Sequence, residues 1–441
     1  MIVSKFGGTS VGTFEAMHHS ASIVAENSDR SLVVISATSG TTNDLVSLED
    51  PYLDSTSREA ILLNIENRHL AIIDQCKEKE KPESSFRILL SHLRNHLELP
   101  GRDKKWKDTL YAFGELMSTR IFAGVLKEQG IDVEWLDARD VLKTDSTFGN
   151  AVPNVTLIKK YVEEKIDPEK RYLTQGFIGR DEFGNTTTLG RGGSDYSAAL
   201  FAEAVNADLL EIWTDVAGVY STDPRIVAEA QPISEITFDE AAELSVFGGK
   251  VLHPATLKPA IRGGVKVRVA SSKQPELPGT LIVNTASKEP VVRAISLRKD
   301  QTLLTVKSLE MLHQHGFLAK LFGLLAEHKI SVDLVTTSEV SVSLTLDTAH
   351  KASNKVELTE DILDELRTFC EVDVEKNLSL VALIGNKMDA TSGISGTLFG
   401  LLENHNIRLV CHGASPNNVC FLVKEGTGEE IVKLIHRKFI E

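Results

Sequence analysis

IVSKFGGTSVGTFEAMHHSASIVAENSDRSLVVISA, residues 2–37, reads as strand, glycine turn, helix, strand. IVSKF (2–6) and SLVVISA (31–37) are short and rich in β-branched residues, while FEAMHHSASIVAEN between them carries apolar residues at helical spacing. Two strands separated by a helix imply a βαβ unit, hence parallel pairing in a sheet covered on both faces. The rhythm continues outward. Further strands are expected at 133–138 (VEWLDA), 171–179 (RYLTQGFIG), 207–215 (ADLLEIWTD) and 265–271 (VKVRVAS). A long charged helical region runs from about Ser55 to Gly130, broken by the ELPGRD turn near Pro100. The expectation is an α/β domain over 1–284, a mostly parallel sheet sandwiched by helices.

Past Asn284 the pattern changes. Residues 285–290 read as a polar linker, followed by strand 301–308, helix 316–328, strands ISVDLVTT and VSVSLTLD, helix 359–370 and strand EVDVE. That is βαββαβ, the order of a ferredoxin-like module. The order then recurs: LFGLLAEHKI (321–330) and LFGLLENHNI (398–407) share seven of ten residues at an offset of 77. The second unit runs out of strands before Glu441, and VRAISLR (292–298) is the natural substitute. The first module, about 301–376, is therefore expected to be inserted in the second, about 291–299 plus 377–441, within a region 285–441. Paired small modules of this kind suggest a ligand sensor, by analogy of fold alone.

Composition narrows the class. The 441 residues carry 62 acidic and 48 basic side chains, a formal net charge of −14, and no basic run reverses it locally. That argues against a nucleic-acid or anionic-membrane partner. No signal-like start and no apolar stretch of about 20 residues is present, so no membrane span is expected. Cys76, Cys370, Cys411 and Cys420 form no CxxC pair, which fits reduced thiols and a cytoplasmic location.

Two glycine clusters can hold anions. KFGGTS (5–10) lies between a strand and a helix of the parallel sheet, where ligands bind beyond the strand ends. Gly7 and Gly8 would admit a phosphate and Lys5 a positive charge, although a plain βα turn with a solvent-facing lysine has the same spelling. TTTLGRGGSDYS (186–197) precedes a helix expected near Tyr196. It offers Ser194, Arg191 for a two-pronged grip on carboxylate or phosphate, and Asp195 to orient a lysine or metal. GxxxxGK[ST], HRD…DFG, GxGxxG and HExxH are all absent. In WTDVAGVYSTDPR (213–225), Asp215, Tyr220 and Arg225 could meet a nucleotide. FGGKVLHPAT (247–256) adds Lys250 as a phosphate partner, with His253 more easily read as a structural hydrogen-bonder. Glu115, in FGELMS (113–118), is by itself a solvated helix charge.

Taken together, KFGGTS, SATSGTTN (36–43), FGELMS, TTTLGRGGSD, WTDVAGVYSTDPR and FGGKVLHP resemble the aspartokinases of the amino acid kinase family. Residues 311–341, MLHQHGFLAKLFGLLAEHKISVDLVTTSEVS, resemble the paired ACT domains of the monofunctional, lysine-sensitive bacterial members. The resemblance spans essentially the whole chain in motif order and implies ATP-dependent phosphorylation of the L-aspartate side-chain carboxylate to 4-phospho-L-aspartate. This is the first step toward lysine, threonine, methionine and diaminopimelate. By motif position, Lys5 and Asp195 would be catalytic, with Thr42, Asn43, Glu115 and Arg191 holding the substrate. Gly7, Gly8, Thr9, Ser194, Thr214, Asp215, Tyr220, Arg225, Lys250 and Val251 would hold ATP, with Mg²⁺ bound along with the nucleotide and no protein metal site. An L-lysine effector would meet Met311, His313, Gln314, Gly316, Phe317, Leu318, Ser331, Val332, Asp333, Ser338 and Glu339. With Arg191 and Glu115 pinning the α groups, one extra methylene would misplace the attacking oxygen, disfavouring glutamate.

Two departures stand out: Gln314 replaces a small hydroxyl residue, and SATSGTTN replaces a more alanine-rich segment. Exposed module edges suggest a homodimer or a dimer of dimers. The alternatives are a non-catalytic amino-acid sensor on a degenerate kinase scaffold, or a related kinase acting on glutamate, carbamate or a nucleoside monophosphate. The first would be favoured by loss of Lys5, Arg191 or Asp195, all of which are present.

Overall fold

The computed structural model describes residues 1–249, 252, 254–312, 315–346 and 358–441. The chain begins with β1 (Ile2–Phe6), α1 (Phe14–Glu26), β2 (Arg30–Ile35), α2 (Thr41–Ser47), α3 (Ser55–Ile73), α4 (Glu80–Leu97) and α5 (Lys104–Glu128). Next come β3 (Glu134–Leu136), α6 (Ala138–Val141), α7 (Val155–Lys165), β4 (Tyr172–Gln175), β5 (Ile178–Arg180), β6 (Thr186–Thr188), α8 (Gly193–Ala204) and β7 (Leu209–Thr214). The following stretch holds β8 (Glu235–Thr237), α9 (Phe238–Val246), α10 (Pro254–Gly263), β9 (Lys266–Ser271) and β10 (Thr280–Val283). The last part contains β11 (Ala294–Lys307), α11 (Phe317–Glu327), β12 (Val332–Thr337), β13 (Ser341–Leu346), α12 (Glu360–Arg367), β14 (Glu371–Ile384), α13 (Ile394–Leu401), β15 (Ile407–His412), β16 (Asn418–Lys424) and α14 (Gly428–Phe439). No helix among the described residues is long and apolar enough to cross a membrane.

The chain forms two compact units: Met1–Val219, Pro232–Phe238 and Lys250–Ala286 in the first; Tyr220–Gln231, Asp239–Gly249 and Ser287–Glu441 in the second. The first is built on an eight-stranded sheet in the order β3-β4-β2-β1-β7-β9-β10-β8. Strands β3 to β9 in that order run parallel, β10 is antiparallel to β9, and β8 is parallel to β10. β2 is buried along its whole length, which suits the nearly unbroken apolar run of a strand covered on both sides. Caps set the helix starts: Thr13, Asp54, Asp103 and Asn154 each accept a backbone N–H from the first turn of α1, α3, α5 and α7.

The centre of this sheet holds one buried charge cluster. Glu211 on β7 accepts from Arg30 Nε at 2.8 Å, Ser4 Oγ at 2.9 Å and Trp213 Nε1 at 3.0 Å. Trp213 in turn stacks on Phe6, with ring centroids 6.1 Å apart. A buried carboxylate with this many donors is compensated, and the network ties β1, β2 and β7 into one register.

Sequence and structure differ at short elements. The strand expected over 171–179 breaks after Gln175, and its second half becomes β5, which pairs with β6 in a separate hairpin. β8 and β10 have only three and four residues, too few for periodicity to register.

The second unit has a six-stranded antiparallel sheet in the order β12-β13-β11-β14-β16-β15. Expected strands 292–298 and 301–308 are one continuous β11, and EVDVE and LSLVALIGN are one continuous β14. The register shifts between Arg298 and Gln301 and between Gln301 and Leu303, with Asp300 and Asn377 at φ 58° and 59°. The polar KDQ and KN steps are thus irregularities inside two long strands, not connections between shorter ones.

Each half of this sheet has its own core. Leu304, Val306, Leu321, Leu325, Leu344 and Leu366 pack α11 and α12; Ile295, Val381, Leu398, Phe421, Ile431 and Ile435 pack α13 and α14. Segments 220–231 and 239–249 join this unit through polar contacts. Arg293 Nε lies 2.6 Å from Glu240 Oε1, Ser221 Oγ 2.9 Å from His436 Nε2, and Asn418 donates to Glu243 at 2.8 Å.

Candidate active site

Parallel strands deliver their carboxyl ends to one edge of the sheet, and the loops after β1, β2 and β4 meet the start of α8 there. They enclose a cavity of ≈ 400 Å³. Lys5, Gly8, Thr42, Glu115, Arg191, Ser194 and Asp195 all line it. These residues come from four separate stretches, so the fold itself is what assembles them.

Lys5 is nearly buried near the end of β1, and its Nζ lies 2.6 Å from Asp195 Oδ1. Gly8 opens a 3₁₀ turn against the loop after β2, and a Cβ there would come within 2.9 Å of Ala37 O. Close backbone approach, not flexibility, requires that glycine. α8 begins at Gly193, three residues before the expected start, because Gly192 at φ 70° caps it in the left-handed conformation. The first residues of this twelve-residue helix, Gly193 to Asp195, line the cavity, and its amino end gives the site positive potential.

Glu115 projects from α5 and is 4% exposed, with Oε1 accepting the Ala37 N–H at 3.2 Å. Burial pushes its carboxyl up to about 8, against the opposing pull of the Ala37 N–H and the Lys5 ammonium. It is therefore mostly protonated at neutral pH.

Two further residues shape this wall without any motif to announce them. Asp108, two turns before Glu115 on α5, accepts the Gly149 N–H at 3.0 Å and the Thr188 N–H and Oγ1 at 2.8 Å each. It thereby fixes the end of β6 just before Gly190. The only sequence signal is a spacing of seven residues, which puts it on the helix face that carries Glu115. Arg68 Nη1 lies 2.6 Å from Asp44 Oδ2 and steadies the segment after β2 from α3.

Other expected residues lie elsewhere. Gly7 donates its N–H to Trp213 O at 3.1 Å, and Gly7, Thr9 and Asn43 are not on the cavity wall. Thr214 ends β7 and bonds its neighbour Asp215 at 3.2 Å. Tyr220 and Arg225 belong to the second unit, where Arg225 pairs with Asp223 at 2.6 Å. Lys250, Val251, His253, His313 and Gln314 lie outside the described residues.

Of the expected effector positions, Met311 ends a 3₁₀ turn, Gly316 at φ 94° caps α11, and Phe317 and Leu318 begin that helix. Ser331 precedes β12, which carries Val332 and Asp333, while Ser338 and Glu339 lie in the turn before β13. Asp333 Oδ2 is 2.7 Å from Arg298 Nη1, so a cation reaching it must compete with that guanidinium.

The sequence profile of the amino acid kinase family matches residues 1–271, and that of the ACT domain matches 304–355 and 381–439. The chain is 46% identical over its full length to lysine-sensitive aspartokinase 3 of Escherichia coli, covering 99% of that protein. It is 34% identical to chloroplastic aspartokinase 1 of Arabidopsis thaliana, covering 100% of this chain and 80% of that one. The chain belongs to the amino acid kinase family, among the aspartokinases. The crystal structure of Escherichia coli aspartokinase III with aspartate and ADP superposes with a TM-score of 0.89 at 46% identity, covering 100% of both chains. The same enzyme with lysine and aspartate gives 0.88 at the same identity and coverage.

Among the described residues no three His, Cys, Asp or Glu side chains are grouped to hold a metal. Asp195, a carboxylate on the cavity wall at the amino end of α8, has the oxygen donors that suit a Mg²⁺ carried in on a bound anion.

Glu115 makes this site pH-dependent in a checkable way. Its folded value is raised above the ordinary 4.5. The stability associated with its bound proton is thus complete below about 4.5 and disappears as pH rises through about 8. Glu115→Gln should flatten the fall in unfolding free energy across that window, which reaches up to about 1.4 kcal/mol per pH unit. Denaturant titrations at pH 5, 6, 7 and 8 measure it; parallel wild-type and variant curves would assign the carboxyl an ordinary value.

Proposed function

We propose that this protein transfers the γ-phosphoryl group of ATP to the side-chain carboxylate of L-aspartate, giving 4-phospho-L-aspartate and ADP. The observation that carries the reading is the Lys5–Asp195 pair sharing one cavity with Glu115 and Arg191. The relative crystallised with aspartate and ADP supports it. The acceptor carboxylate, with an ordinary pKa of about 3.9, is already ionised at neutral pH and needs no general base. The obstacle is an anion approaching a polyanion, so the work is positioning and charge stabilisation.

Arg191 holds the α-carboxylate and Glu115 the α-ammonium, with Thr42 and Asn43 on the substrate side. Glu115 gives up its proton to solvent as the ammonium binds. One carboxylate oxygen then bonds to the γ-phosphorus as the bond to the β,γ-bridging oxygen breaks and ADP leaves. Lys5 follows the phosphoryl group in transit, and Asp195 keeps the ammonium aimed. Gly7, Gly8, Thr9 and Ser194 cradle phosphates, while Thr214, Asp215, Tyr220, Arg225, Lys250 and Val251 hold the nucleotide. Mg²⁺ bound to the phosphates offsets part of their charge.

The same reading makes residues 1–284 catalytic and 285–441 regulatory, with one ACT module, about 301–376, inserted in the other, about 291–299 plus 377–441. L-lysine binds the first module and favours a low-activity state, which requires tighter binding to that state than to the active one. The lysine-sensitive relative supports this effector. The working form is a cytoplasmic homodimer or dimer of dimers.

The test is ADP release with Mg-ATP and L-aspartate, trapping the acyl phosphate with hydroxylamine, with and without millimolar L-lysine. Aspartate-dependent hydroxamate that lysine suppresses is the expected result. Activity indifferent to lysine would remove the effector assignment and direct attention to Gln314. Folded, ATP-binding protein that makes no aspartyl product would overturn the acceptor.

A further inference from the structure

Among the described residues, six that are not glycine have a positive φ. Five are Asn, Asp or Lys at 206, 300, 329, 377 and 387; the sixth is Phe177 at φ 69°. A bulky aromatic residue in this region is an outlier that needs a reason. The Ile178 N–H donates to Gly176 O at 2.7 Å, so residues 176–178 close a γ-turn around Phe177. With positive φ at its centre, that turn is the rare and strained form.

The strain is held from several sides. The Phe177 N–H donates to Ser197 Oγ at 2.9 Å, and Phe177 O accepts the Leu189 N–H at 2.9 Å. Ser197 Oγ also donates to Ser194 O at 3.0 Å. A Cβ on Gly193 would fall 2.6 Å from Phe177 Cδ2, and one on Gly176 would fall 2.6 Å from Ser194 Cβ. The turn is therefore locked to the first turns of α8, which supply Ser194 and Asp195. A position with no task for a side chain would relieve this strain with glycine.

The residue does have a place: Phe177 lines the ≈ 400 Å³ cavity with Lys5, Glu115 and Arg191, and its ring edge lies against Gly193 of the same wall. Every other residue of that lining is polar, charged or small. Small and hydroxylic walls can share space with water and accommodate a longer ligand. An aromatic ring on an over-determined backbone cannot retreat.

We propose that Phe177 is the specificity-determining residue for acceptor length. Its ring limits the space left once Arg191 and Glu115 hold the α groups, so that a four-carbon amino diacid reaches the phosphoryl group and a five-carbon one does not. This inference rests on the aspartate-kinase reading. It also explains why a strained aromatic residue sits at the break between β4 and β5. The pinned α groups place the substrate, and the ring turns one extra methylene into a clash.

The experiment compares kcat/KM for L-aspartate and L-glutamate, by hydroxamate trapping with Mg-ATP, in the wild type, F177G and F177L. Glycine adopts this φ without strain, so F177G removes the ring while preserving the turn. F177G is expected to raise the glutamate-to-aspartate ratio about tenfold or more, the scale set by one methylene in a fitted pocket, with F177L between the two. A ratio unchanged while both activities fall together would make Phe177 a structural residue and overturn the proposal. If F177G does not fold, the F177L ratio decides. A wild type that makes no aspartyl product fails the underlying reading instead, before any variant is compared.

Discussion

Lys5→Met is expected to lower kcat by about 10³-fold while the KM for aspartate changes little. Loss of a single donor aimed at developing charge in a water-poor site has consequences on that scale. Lys5 is nearly buried, is 2.6 Å from Asp195, and stands at the carboxyl end of β1 beside the Gly7–Gly8 turn. Its length therefore spans from the sheet to the cavity. Methionine keeps that length and most of the packing, so the β1 register should survive. The single variant has a second consequence. It leaves Asp195, whose side chain is only 17% exposed, without its cation, and an uncompensated carboxylate is destabilising. The pair Lys5→Met with Asp195→Asn separates the two effects. Thermal melting should recover toward wild type in the double variant, whereas activity should not. Recovery of both would make Lys5 a structural counter-ion, with the phosphoryl group stabilised elsewhere.

The architecture was legible where the pattern was long. β1, α1 and β2 follow from an apolar run, a helical period and another apolar run, and the repeat at 321–330 and 398–407 announces two similar modules. Short-range conformation was not legible. Whether KDQ at 299–301 ends a strand or bends one depends on Asp300 at φ 58°, and polar composition suits both outcomes. RYLTQGFIG reads as one strand because Gly176 and Phe177 between its halves look apolar and unremarked. The break is a tertiary effect, imposed by Ser194 and Ser197 on a different element.

The site divides in the same way. Glycine clusters advertise themselves because close backbone approach leaves few alternatives to glycine, as at Gly8. Glu115, from sequence, is one of many helix carboxylates; its burial and its contact with Ala37 arise only when α5 packs against the loop after β2. Gly114 permits this packing, since a Cβ there would come 2.8 Å from Ala37 Cβ. Asp108 was invisible for a related reason. Its partners at Gly149 and Thr188 are 41 and 80 residues away, and nothing local requires an acceptor.

Arg191→Ala should raise the KM for aspartate about 100-fold and leave the dissociation constant for ATP within about twofold. Charge-assisted, two-pronged contacts to a carboxylate are among the stronger hydrogen bonds, each worth roughly 1.5–3 kcal/mol. The setting of Arg191 makes the variant clean. Its neighbours Gly190 and Gly192 hold the loop through left-handed φ values of 74° and 70°, and its own side chain is exposed on the cavity wall. Removing it leaves no hole in the core, and the melting temperature should barely move. Arg191→Lys keeps the charge but loses the planar fork, so it should recover only part of the affinity. Equilibrium ATP binding, measured beside the aspartate KM, discriminates between the two sides of the cavity. Loss confined to aspartate places Arg191 on the α-carboxylate. Equal losses for both ligands would place it on the phosphates, and Lys5 would then share its charge-stabilising role with a second cation.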